Sequence, residues 1–160
     1  MGLVVVTGVG PRTGTSFVMQ QAKKNNMPVY GTKFIQNLTV EEHNPEGYYE
    51  CLDPFAVPDG HIVKLWGHHI NKLGVDKISR LVILERQNKK EQMQSIEKVL
   101  KDEMVFHPSV SLTPEDAFVN CVFDMTEWAS KISPSRCMHV YTEDLNKEIS
   151  NILTFMKGGF

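Results

Sequence analysis

The sequence predicts an α/β fold, a three-layer domain around a mainly parallel central sheet of about five strands. Short apolar runs rich in branched residues recur along the chain, as in Leu3–Thr7 and Arg80–Glu85. Segments with apolar residues at helical spacing alternate with them. The chain has 160 residues, 41% of them hydrophobic and 22% charged, which suits one core. Residues 1–160 are therefore read as a single domain.

The elements follow in order. Residues 3–7 form a continuous apolar run, as expected of a strand buried on both faces. A helix follows from about Thr15 to Asn25, and Pro28 to Gly31 offers a short second strand. Residues 32–60 are rich in Asn, Pro, Gly and Glu and read as loop with short helical pieces. His61 to Trp66 is the third strand; Gly67 breaks it and a short helix runs to Leu73. Arg80 to Glu85 is the fourth. Asn88 with Glu91 three residues on has the form of a capping box. The helix behind it places Met93, Ile96, Val99, Leu100 and Met104 on one face. Thr113-Pro114-Glu115-Asp116 is a second helix start, with Phe118, Cys121, Val122, Met125, Trp128, Ala129 and Ile132 at helical spacing behind it. Ser133-Pro134 closes that helix, and Cys137 to Tyr141 is the fifth strand. Thr142 is expected to cap the last helix, with Leu145, Ile149, Ile152, Leu153 and Met156 inward and Gly158-Gly159 at its end.

Composition narrows the function. A net charge of −2 gives no reason to expect nucleic-acid binding. Cys51, Cys121 and Cys137 are odd in number and widely spaced. They read as reduced packing thiols of a cytoplasmic protein, and no metal site is expected. No segment approaches the roughly 20 apolar residues that span a bilayer.

In an open parallel sheet, ligands bind at the carboxyl ends of the strands. The residues there are Arg12, His68, His69 and Arg86. Between the first strand and its helix stands a glycine-rich loop, Gly8-Val9-Gly10-Pro11-Arg12-Thr13-Gly14-Thr15-Ser16. Strand, such a loop and a helix N-terminus form a cradle for a phosphate group. A triphosphate loop would carry lysine after its last glycine. Here Thr15 stands in that place, and Arg12 supplies the positive charge from within the loop. Arg86 directly after the fourth strand, with Ser95 in the next helix, forms a candidate second anion grip. Two separate grips suit a nucleotide with phosphates at both ends.

These residues also resemble a known family, the sulfotransferases that use 3′-phosphoadenylyl sulfate (PAPS), and among them the bacterial sulfotransferase-like proteins. Pro11-Arg12-Thr13-Gly14-Thr15-Ser16 resembles their PRSGTS loop, and Asn44-Pro45-Glu46-Gly47-Tyr48-Tyr49-Glu50 their NPxGYxE element. Leu81–Arg86 with Glu91, Gln92 and Ser95 resembles their strand-Arg-helix-Ser element. Val140-Tyr141-Thr142-Glu143-Asp144-Leu145 resembles their late YEDL element, with Thr142 inserted. The matches run in family order from Leu3 to about Lys157. In place of the proline common after the strand-end arginine stand Gln87-Asn88.

The resemblance implies a P-loop-type fold, PAPS as donor, adenosine 3′,5′-bisphosphate as product, and no metal. It assigns the 5′-phosphosulfate to Pro11, Arg12, Thr13, Gly14, Thr15 and Ser16, and the 3′-phosphate to Arg86 and Ser95. The acceptor is expected to be a hydroxyl or amine of a small molecule, carbohydrate or peptide. Arg12 and the loop N–H groups are placed to stabilise charge on the leaving phosphate, and a base must take the acceptor proton. His68 and His69 are candidates for that base, although the family's strand-Lys-x-His element would put the histidine two or three positions earlier. Glu50 and Glu46 are rivals. Lys64 either assists the leaving group or snorkels outward from its strand. Two other readings stand beside this one: a nucleotide kinase with a degenerate loop, and a non-catalytic module that keeps the fold.

Overall fold

The first strand, β1 (Leu3–Gly8), is buried along its whole length, which explains its unbroken apolar run. A computed structural model of the chain describes residues 2–35, 42, 44–106 and 130–160. The segment expected to form the helix from Thr113, with its Phe118–Trp128 stripe and Cys121, lies outside these residues apart from its end at Ile132.

After β1 come α1 (Thr15–Lys24), β2 (Val29–Tyr30), β3 (Ile62–Lys64), α2 (Gly67–Leu73), β4 (Ile78–Glu85), α3 (Lys89–Phe106), β5 (Cys137–Tyr141) and α4 (Leu145–Lys157). The five strands pair in the order β2-β3-β1-β4-β5, and every pairing is parallel. Among the described residues one antiparallel bridge, Thr32 with Glu50, stands outside the sheet.

Period-two alternation divides the sheet residues between two cores. Val4, Val6, Ile62, Val82, Leu84 and Val140 face Val18, Met19 and Ala22 of α1 and Leu145, Ile152 and Met156 of α4. Leu3, Val5, Val63, Leu81 and Ile83 face the other way, toward Ile70 of α2, Cys51, Val57 and Ile132. The result is the three-layer α/β arrangement with flanking helices that the alternation predicts.

Several element edges differ from the sequence reading. β3 ends at Lys64, two residues before Trp66, and β4 begins at Ile78, two before Arg80. The capping box is half formed. Asn88 Oδ1 accepts the Glu91 N–H at 3.1 Å, while the Glu91 carboxylate faces Arg86. Thr142 does not cap the last helix. Residues Thr142–Asp144 form a 3₁₀ turn, Asp144 holds the N-cap position, and the Thr142 hydroxyl is used elsewhere.

Candidate functional site

The loop after β1 owes its shape to bare backbone at its glycines. Gly14 takes φ 99, a left-handed conformation, at the N-cap of α1, and no side chain caps the helix there. A methyl at Gly14 would stand 2.7 Å from Leu145 Cδ2. Arg12 also takes positive φ, 64, which a non-glycine residue adopts only when its surroundings hold it. Its Nε donates to Ser95 Oγ at 2.9 Å, and its carbonyl accepts from Arg86 Nη1 at 3.5 Å. The two anion grips read from the sequence therefore meet: Arg12 of the first touches Arg86 and Ser95 of the second.

Gln92, one turn before Ser95, is fully buried. Its side-chain amide donates to the carbonyls of Val9 at 2.9 Å and Pro11 at 2.8 Å. On the far side of the loop the Thr142 hydroxyl donates to the Thr13 carbonyl at 2.7 Å. Three loop carbonyls are thus tied from outside. Glu143 reaches the other grip: its carboxylate accepts the N–H groups of Gln87 and Asn88, each at 3.1 Å.

Lys64 enters from the neighbouring strand. It pairs with Val6 in register and lies on the same face as Ile62, toward α1. It does not snorkel outward, for its side chain is 2% exposed. The ammonium has three donors, and three acceptors surround it: Ser16 Oγ at 3.2 Å, the Tyr48 carbonyl at 2.7 Å and Glu50 Oε1 at 2.5 Å. Burial lowers the Lys64 pKa, Glu50 raises it in opposition, and Arg12 lowers it further. Arg12 behaves alike: burial lowers its pKa, Tyr48 opposes, and Arg86 adds to the lowering. Arg12 is thus electrostatically opposed by a cation on each side.

Segment 44–50 is laid beside the residues that follow β2. Thr32 and Glu50 exchange backbone hydrogen bonds at 2.9 and 3.1 Å, and the Tyr48 N–H donates to the Lys33 carbonyl at 2.9 Å. Gln20 of α1, also buried, holds the segment from beneath by donating to Asn44 Oδ1 at 2.8 Å and the Gly47 carbonyl at 2.7 Å. This is what brings Glu50 to Lys64.

The candidates from sequence separate accordingly. Arg12, Ser16, Lys64, Glu50, Arg86 and Ser95 are brought together, with Pro11, Thr13, Gly14 and Thr15 forming the loop between them. Glu46 is directed to the surface, where it pairs with Lys24 at 3.1 Å. His68 and His69 fall within the first turn of α2. The sequence reading gave no role to Gln20, Gln92 or Glu143, although Gln92 and Glu143 stand in the motifs it named. The available signal for Gln92 and Glu143 was their place in those motifs. No protein-family model and no curated protein matches the chain.

Proposed function

We propose that this chain binds 3′-phosphoadenylyl sulfate and transfers its sulfuryl group to a hydroxyl or amine acceptor. The observation that carries the reading is the convergence of Arg12, Arg86 and Lys64 at the carboxyl ends of three adjacent strands, with Arg12 bonded to Ser95. Cations that oppose one another are relieved by an anion among them.

The division of roles is the one that the family resemblance implies. Arg12, Thr13, Gly14, Thr15 and Ser16 would hold the 5′ end on the loop and helix N-terminus. Arg86 and Ser95 would hold the 3′-phosphate, Arg86 with two parallel donors. The bound donor supplies the transferable sulfuryl group. Arg12 and Lys64 offer positive charge where the leaving phosphate gains negative charge. Glu50 is the carboxylate beside them and is assigned to accept the acceptor's proton.

A nucleotide kinase is the second reading. It is favoured by one observation: Lys64 places an ammonium on Ser16, near where a triphosphate loop carries its own lysine. Calorimetric titration with adenosine 3′,5′-bisphosphate and with ATP plus magnesium separates the two. Selective binding of the bisphosphate, lost in Arg86→Ala, supports the sulfotransferase; selective binding of ATP overturns it. Labelled sulfate transfer from donor to a pool of small hydroxyl and amine acceptors then tests catalysis, with Glu50→Gln expected to lose rate by about 10²-fold or more.

A further inference from the structure

The turn after β5 makes three contacts with the site that its nucleotide-binding residues do not explain. The Thr142 hydroxyl holds the first loop at the Thr13 carbonyl. The Glu143 carboxylate holds the second grip at two amides, Oε2 accepting from Gln87 and Oε1 from Asn88. Leu145, buried at the start of α4, packs on Gly14, where a Cβ would stand 2.7 Å from its Cδ2. Neither Gln87 nor Asn88 is proline, so both keep the N–H that Glu143 needs.

We propose that the Thr142–Leu145 turn is a strut that fixes the distance between the two anion grips, and that this fixed spacing selects ligands carrying two anionic groups over ligands carrying one. The inference rests on the nucleotide reading above and names the residues that set its specificity. The turn itself needs no contact with ligand. It stands between β5 and Leu145, the buried first residue of α4. A ligand that spans both grips gains from its second phosphate only if the grips are already at the right separation, because ordering them on binding costs affinity.

Simple electrostatics points in the opposite direction, which makes the inference testable. Glu143 places a negative charge near Arg86. Its removal, acting through charge alone, would strengthen phosphate binding at Arg86. Loss of the strut would weaken the benefit of the second phosphate. Glutamine at this position retains one acceptor oxygen for two amide donors, so Glu143→Gln removes half of the clamp and all of the charge.

The experiment measures the affinity of the full chain for adenosine 3′,5′-bisphosphate and for adenosine 5′-phosphate, and takes their ratio. In Thr142→Val and in Glu143→Gln the ratio should fall about fivefold or more, within the usual range of coupling between sites. Thr142→Ser, which keeps the hydroxyl, should restore it. A ratio that is unchanged or higher in both variants, with a bisphosphate-selective wild type, overturns the strut and leaves the nucleotide reading intact. A wild type with no preference for the bisphosphate overturns both. Should the variants fail to fold, hydrogen exchange on the wild type decides. Adenosine 5′-phosphate, whose phosphate the proposed function assigns to the first loop, should slow exchange at the Gln87 and Asn88 amides about fivefold; no change at those amides overturns the strut.

Discussion

A lysine ammonium carries three donors, and Lys64 is buried with three acceptors around it. An unpartnered charge in that position would cost several kcal/mol, so the acceptors are what make the burial tolerable. Burial nevertheless lowers the Lys64 pKa. The unfolded chain then binds more protons between that lowered value and the ordinary lysine value, and across this window stability rises with pH. Below it the folded chain bears the full cost of the buried ammonium. Urea midpoints followed upward from neutral pH should therefore rise in the wild type relative to Lys64→Met. Glu50→Gln removes the largest influence raising the Lys64 pKa, and the window should extend to lower pH. At Gly14 the constraint is steric. With φ 99 and Leu145 in the way, Gly14→Ala should destabilise by more than about 1 kcal/mol in chemical denaturation.

Loops around the site are held by side chains from elements that do not belong to them. Gln92 of α3 ties Val9 and Pro11, and Gln20 of α1 ties Asn44 and Gly47. Gln92→Leu leaves two carbonyls without their donor and should cost about 1–3 kcal/mol. It should also weaken bisphosphate binding more than it lowers the urea midpoint would suggest, since the released loop carries Arg12. Gln20→Leu releases segment 44–50 instead. Its expected signature is a larger loss in transfer rate than in bisphosphate affinity, because the segment brings Glu50 to Lys64 and reaches the phosphate-binding residues through Tyr48, which accepts from Ser16 and acts on Arg12. Equal losses in binding and transfer would count against that division of labour.

At the scale of the molecule, a parallel sheet brings residues far apart in sequence to one edge. Arg12, Lys64, Arg86 and Glu143 each follow or end a different strand, and all four lie at the carboxyl side. Among the described residues no helix is long and apolar enough to cross a membrane. A ligand that spans this edge stabilises the folded state by mass action. At a hundredfold excess over Kd that is about 2.7 kcal/mol, which for a chain of this size raises Tm by roughly 5–10 °C. Adenosine 3′,5′-bisphosphate should produce such a shift, while ATP with magnesium should produce a clearly smaller one.

The fold was legible because alternation of short apolar strands with helical spacing is local information, and buried parallel strands leave an unbroken apolar mark, as in Leu3–Thr7. The Gly14 loop and Arg86 were legible too, since position after a strand is enough to place them at the carboxyl edge. Lys64 was ambiguous for a physical reason: a lysine in a strand points to one face or the other, and only its register against Val6 and the return of segment 44–50 decide whether acceptors wait there. Thr142 misled because a hydroxyl before a helix is a good cap in isolation, while here it donates its hydrogen bond to the Thr13 carbonyl, 129 residues earlier. The sequence alone determined the layered α/β class and which residues stand just after the strands. Only the tertiary structure decided which side chains meet: Arg12 with Ser95, Lys64 with Glu50, and Glu143 with the amides after β4. Secondary structure follows from neighbours along the chain, whereas a site is made by contacts across strands, and their partners are set by strand order and register.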